Sequence, residues 1–158
     1  MKSVCLFIIA FATILPITQA QQKAAKSVYF ELGGPGIASF NFDTRFGKKE
    51  NGLGARVGFG GISLDGLTAL FIPVGLNYLF GKETTNYFEL GGGITPLIAS
   101  VGFTNGEGIF SSSFGYLIFG YRYQPRVAGF TFRVAVNPIF NKQGFFPIYG
   151  GVSFGYKF

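Results

Sequence analysis

Near the end of the chain the residues alternate strictly by twos. Phe130, Phe132, Val134 and Val136 interleave with Thr131, Arg133, Ala135 and Asn137, and Val152, Phe154, Tyr156 and Phe158 interleave with Ser153, Gly155 and Lys157. A period of two is that of a β-strand, whose successive side chains point to opposite faces. What limits the possible folds is which set is large. A soluble sheet keeps its outer set polar, whereas here one set is bulky and apolar and the other carries glycine, serine, asparagine and charge. Such a chain fits a wall with lipid outside and a polar lumen inside, the pattern of a transmembrane β-barrel.

Applied along the whole sequence, the rule predicts eight strands over about 27–34, 37–46, 53–62, 70–80, 87–97, 112–124, 130–139 and 148–158. Turn-forming residues separate them, among them Gly34-Pro35-Gly36, Lys48 to Gly52, Asp65-Gly66, Lys82 to Asn86, Asn105 to Gly108, Pro125 to Val127 and Asn141 to Gly144. Every connection suits an antiparallel hairpin. The expected fold is all-β: a closed, antiparallel, eight-stranded transmembrane β-barrel wound as an up-and-down meander. Its lipid-facing set comprises Phe30, Leu32, Phe40, Phe42, Val57, Phe59, Val74, Leu76, Tyr78, Phe88, Leu90, Leu117, Phe119, Tyr121, Phe132 and Phe154. Composition agrees, since only 13 % of residues are charged while 48 % are hydrophobic, which excludes a disordered chain. After the first twenty residues no apolar window is long enough for a membrane helix.

Residues 1–20 read as a signal peptide: Lys2 supplies the positive start, Val4 to Leu15 the apolar run, and Thr18-Gln19-Ala20 the small-residue cleavage site. Residues 21–26 are a short polar lead-in and 27–158 the barrel. Cleavage removes Lys2 and Cys5, lowers the net charge from +6 to +5, and leaves no cysteine for disulfides or metal. A chain that starts at the periplasmic end and rises first carries Pro35, Pro73, Pro96, Pro138 and Pro147 toward its extracellular end, where a missing ladder donor matters least. The same threading gathers Phe46, Phe80, Tyr87, Tyr123, Phe130 and Phe158 into a periplasmic aromatic girdle.

These residues resemble small eight-stranded outer-membrane barrels of OmpA-like or OmpX-like architecture. More narrowly, Leu76 to Lys82, Phe88-Glu89-Leu90-Gly91, Gly120 to Pro125 and Gly155 to Phe158 resemble barrel proteins of Bacteroidota that carry no settled activity. The resemblance implies a Gram-negative outer-membrane location. It also implies that Val152, Phe154, Tyr156 and Phe158 form the C-terminal signal read by the barrel-insertion machinery.

The inward phase carries Glu31, Asp43, Arg45, Arg56, Glu89, Arg122, Arg133 and Lys157, with Asn41, Asn77 and Asn137 among them. Eight strands enclose only enough space for side chains to fill, so these charges are expected to pair across the lumen and plug it. Inward glycines such as Gly54 and Gly58 leave room for the long arginines. Two other readings stand beside the plug. One is a small ion-conducting pore, in which Arg122 or Arg133 exchanges partners among Glu31, Glu89 and Asp43. The other is a lipocalin-like carrier of an apolar ligand, which requires the reverse polarity.

Enzymatic chemistry finds little support. The chain has no His, its serines at 111–113 have no base, and carboxylates surrounded by Arg are poor proton donors. No cofactor and no metal site is expected. The aromatics pattern as a lipid face rather than a stacking groove, which argues against nucleic acid. The expected partners are outer-membrane lipid, the insertion machinery and a larger outer-membrane complex that the barrel serves as an accessory subunit.

Overall fold

A computed structural model describes residues 24–64, 67–82, 85–103 and 106–158. Residues 1–20, read above as a signal peptide, and the predicted Asp65-Gly66 turn lie outside the described residues. Eleven strands follow one another: β1 (Lys26–Gly33), β2 (Ala38–Arg45), β3 (Gly52–Leu64), β4 (Leu67–Phe71), β5 (Val74–Phe80), β6 (Asn86–Phe103), β7 (Gly106–Tyr123), β8 (Gly129–Val136), β9 (Ile139–Asn141), β10 (Gly144–Phe146) and β11 (Gly150–Lys157). All pairings are antiparallel, and β1 pairs with both β2 and β11, so the sheet closes on itself.

The eleven strands build eight walls. Strands β4 and β5 lie one after the other between β3 and β6. Strands β8 and β9 share the same flank of β7, and β10 and β11 run in turn beside β9 and β8. The architecture is thus a closed eight-stranded up-and-down barrel, as the alternation predicts. The end carrying Lys26 and Phe158 is called basal below and the opposite end distal.

Three walls are interrupted, each at a proline, because proline has no N–H to donate to the ladder. Pro73 and Pro138 fall within predicted strands, whereas Pro147 precedes the predicted strand 148–158, whose wall extends below it as β11 and beyond it as β10. The breaks cost little pairing. The Pro73 carbonyl accepts from the Gly58 N–H (2.8 Å), and the Pro138 carbonyl accepts from the Leu117 N–H (2.9 Å). At the third break Val136 faces Gly150 whereas Ile139 faces Phe146. Pro147-Ile148-Tyr149 therefore stand opposite only Asn137-Pro138, a bulge that throws Ile148 outward to 85 % exposure. Two further walls are longer than predicted, since β6 and β7 pair continuously from Asn86 and Tyr123 to Phe103 and Gly106.

Burial follows the predicted phase. Of the sixteen lipid-facing side chains all are exposed except Phe30 and Phe132, which are half-buried. Those two rings pack against the neighbouring rings of Phe40 (5.1 Å between centroids) and Phe154 (5.6 Å). The girdle needs one correction: Tyr87 is 2 % exposed and sits opposite Arg122 on the lumen side. It lies two residues before Glu89 and so shares that residue's inward phase.

The β1–β2 connection is a single 3-10 turn, Gly34–Gly36, whose three residues are all buried. Gly33 and Gly34 supply positive φ angles of 71° and 65° without steric cost, and Ile37 is held at φ 60°. The Gly33 N–H donates to the Ile37 carbonyl and the Ile37 N–H to the Gly34 carbonyl, which fixes the strained residue. A Cβ added at Gly34 would stand 2.8 Å from the Glu31 carboxyl carbon, so this turn folds inward as a ceiling over Glu31.

A lipid-facing wall sets a depth-dependent cost for charge. Leu90→Arg, in the middle of the apolar band, is expected to lower unfolding free energy in bilayers by about 2–4 kcal/mol, and Phe46→Arg, beyond the basal end of β2, by less than about 1 kcal/mol. Urea titration of the two variants in the same vesicles measures the difference.

Candidate functional site: the charged lumen

Glu31 on β1, Asp43 and Arg45 on β2, Arg56 on β3, Glu89 on β6, Arg122 on β7 and Arg133 on β8 are all 4 % exposed or less. They are brought together because each occupies the inward phase of its strand, near the middle or base of the wall. Their contacts form one alternating chain of charge. Arg56 pairs with Glu31 (2.6 Å), Glu31 with Arg133 (2.7 Å), and Arg133 with Glu89 (3.0 Å). Glu89 faces Arg122 at 3.8 Å, Arg122 pairs with Asp43 (3.1 Å), and Asp43 with Arg45 (2.7 Å). Seven charges alternate in sign, with an arginine at each end.

Neutral side chains complete the cluster. Asn77 donates to Asp43 Oδ2 (2.7 Å) and to Glu89 Oε1 (2.8 Å) through its amide nitrogen, and its oxygen accepts from Arg45. Asn41 accepts from Arg56 (2.8 Å), Ser27 accepts from Arg122 (2.9 Å), and Ser153 accepts from Arg133 (3.3 Å). The Arg133 guanidinium also lies 4.5 Å from the Tyr29 ring centroid, within cation–π range. Each charged side chain of the seven therefore has an opposite charge within 3.8 Å, which is what makes burying it tolerable. Arg45 Nε, Arg56 Nε and Nη1, Glu89 Oε2 and Arg122 Nη1 are nevertheless left without a hydrogen bond.

Glycine makes the close packing possible. A Cβ at Gly54 would stand 2.3 Å from the Arg45 Cζ, and one at Gly58 would stand 2.1 Å from Asn41 Oδ1. The void beside Arg122 and Arg133, bordered also by Tyr29, Thr131 and Ser153, measures about 10 Å³. That is at the lower limit of the space one water molecule needs.

Lys157 does not join the chain of seven. It pairs with Glu50 and donates as well to the Pro125 (2.9 Å) and Arg126 (2.6 Å) carbonyls. Gln124 donates to the Glu50 carboxylate (2.9 Å). Glu50 belongs to the β2–β3 connection, which the sequence reads only as a turn, so alternation carries no signal for it. Its one cue is an acid between Lys49 and Asn51 in a turn otherwise basic. These contacts lay the connection across the basal mouth as a floor. Asn137, also inward and 1 % exposed, lies away from the ionic chain near Gly151.

Val152, Phe154 and Tyr156 share the outward face of β11 and Phe158 follows its last residue, with Val152 half-buried and the other three exposed. Among the described residues no three His, Cys, Asp or Glu side chains are grouped so that they could hold a metal ion.

No protein-family model matches the chain, and no curated protein matches it in sequence. Solved structures match in shape. The N-terminal β-barrel domain of Pseudomonas aeruginosa OprF aligns over 89 % of this chain and 100 % of its own at 11 % identity, with a TM-score of 0.64. Ail, the attachment invasion locus protein of Yersinia pestis, aligns over 85 % of this chain and 97 % of its own at 12 % identity and a TM-score of 0.54. The fold is that of the small eight-stranded outer-membrane β-barrels, the OmpA-like or OmpX-like architecture.

Removing one member of the alternating chain strands its neighbours. Glu89→Ala is expected to destabilise the folded barrel by about 3–5 kcal/mol, because Arg133 and Arg122 both face this carboxylate. Glu50→Ala is expected to cost less, because Lys157 keeps the Pro125 and Arg126 carbonyls as acceptors. Unfolding midpoints of the two variants in one detergent give the comparison, and equal values would count against an energetic role for the chain.

Proposed function

We propose that this protein is an integral outer-membrane barrel whose lumen is closed by the ionic chain, and that it acts without catalysis as a structural or accessory subunit of that membrane. The observation that carries the reading is the unbroken alternation from Arg56 to Arg45, with a void of only about 10 Å³ beside it. A path for hydrated ions would have to open several of these contacts at once. The apolar exterior counts against a soluble carrier, and likeness in fold to OprF and Ail supports the membrane.

The exposed Lys48, Lys49, Lys82 and Arg126 lie at the basal end. They suit anionic headgroups or a partner on the periplasmic side. The outward side chains of Val152, Phe154, Tyr156 and Phe158 act in this reading as the insertion signal.

Refolded protein in planar bilayers is expected to be electrically silent, and discrete conductance steps from the unaltered chain would transfer the assignment to a pore. Glu89→Ala, which removes one link only, is expected to stay silent as well, and conductance that rises in this variant would favour the gated path. Extraction of native membranes in mild detergent tests the accessory role: a heat-shifted barrel migrating within a larger assembly supports it, and migration alone near its own mass contradicts it.

A further inference from the structure

The distal half of the lumen differs from the plug beneath it. Above the Gly34–Gly36 ceiling, apart from the exposed Ser112 opposite Leu97, the inward phase continues through Ile62, Ala69, Phe71, Leu97, Phe114 and Ile139. All of these are buried or half-buried, and none can ionise. The wall around this chamber is also incomplete. Strands β1 and β2 stop at Gly33 and Ala38, whereas β3 continues to Leu64 with only β4 beside it, and β10 pairs only with β9. Two strands are therefore missing above the hairpin, a notch about 10 Å wide at ordinary strand spacing.

The notch opens at a level that faces lipid. Its outer flanks carry exposed Gly61 and Ser63 of β3, with Leu70 beside Gly61, on one side and exposed Phe140 and Phe145 on the other. Open strand edges at such depth are tolerated only where they line a cavity. On the lipid side the base of the notch runs into an apolar groove of about 570 Å³, bordered by Leu32, Phe119, Val136, Val152, Gly150 and Gly151.

Unused polar groups gather at the chamber floor. Thr95 Oγ1 and the Tyr116 hydroxyl are buried without a hydrogen-bond partner. Arg56, whose guanidinium lies 5.9 Å from the Tyr116 ring centroid, makes its hydrogen bonds through Nη2 and leaves Nη1 and Nε unpartnered. Arg56 is the distal end of a chain in which four arginines meet three acids, so one anion placed there would complete the alternation. From this geometry we propose a binding site for a single-chain fatty acid. Its carboxylate accepts from Arg56 and from the Tyr116 hydroxyl, its tail lies against Phe71, Leu97, Phe114 and Ile139, and the tail's end passes through the notch to the bilayer.

The protein has no tryptophan, so one indole can report on the chamber alone. Phe114→Trp places it inside and Phe154→Trp on the lipid face, with Ile139→Trp as the interior reporter should Phe114→Trp fail to fold. Each protein in phosphatidylcholine nanodiscs is titrated with dibrominated stearate. Saturable quenching of the interior reporter is expected at a probe mole fraction about tenfold below that which quenches Phe154→Trp equally. The methyl ester of the probe, and Tyr116→Phe, are expected to weaken saturation several-fold, and Ala69→Phe, which fills the chamber, to abolish it while heat-shifted gel mobility persists. Parallel quenching of both reporters, as when water alone or a polypeptide strand occupies the notch, would overturn the site. So would equal saturation by acid and ester.

Discussion

The alternating charge chain decides what else this barrel can be. Four arginines and three acids taken out of water are tolerable only as a connected set, because a single unpaired ion inside the wall costs several kcal/mol. The set draws members from β1, β2, β3, β6, β7 and β8, so six walls are held in one relative position by their inner faces. Lipid cannot supply that specificity from outside, since it is as apolar as the side chains it touches. The outer face needs only to be apolar, whereas the inner face must match charge to charge.

Much of this was legible in the sequence because barrel strands obey a period of two over long stretches. Once Phe130 and Val152 set the phase, the inward positions of Glu31, Asp43, Glu89 and the arginines followed by counting. Tyr87 shows the limit of reading chemistry before phase: an aromatic near a turn suggests an interface, yet its parity with Glu89 places it in the lumen. Glu50 stayed hidden because turns have no period, and its partner Lys157 lies 107 residues away. The distal extension of β6 and β7 was missed for another reason. On β6 both faces are apolar there, as at Leu97 and Ile98, and on β7 both are polar, as at Ser111 to Ser113, so alternation fades although the strands continue.

Proline placement links these levels. The interruptions at Pro73, Pro138 and Pro147 mark the height at which the polar lumen gives way to the apolar one, and the carbonyls at Pro73 and Pro138 keep the neighbouring amides satisfied. The bulge at Ile148 shifts the pairing of β10 by one residue relative to β11, and thereby brings Phe146 rather than Pro147 opposite Ile139. A change of register there alters the distal chamber without disturbing the ionic chain below.

The partners in the lumen are far apart along the chain: Arg133 and Glu31 are separated by 102 residues, and Arg122 and Ser27 by 95. None of these pairs can form from a single hairpin. Until β1 meets β11 the links from Glu31 to Arg133 and from Asp43 to Arg122 are open, and a half-built wall would expose these charges to hydrocarbon. Assembly must therefore keep the inner face hydrated until the ends meet, so that closure, desolvation and neutralisation happen as one late event. The stability of the finished barrel and the slowness of reaching it have the same origin.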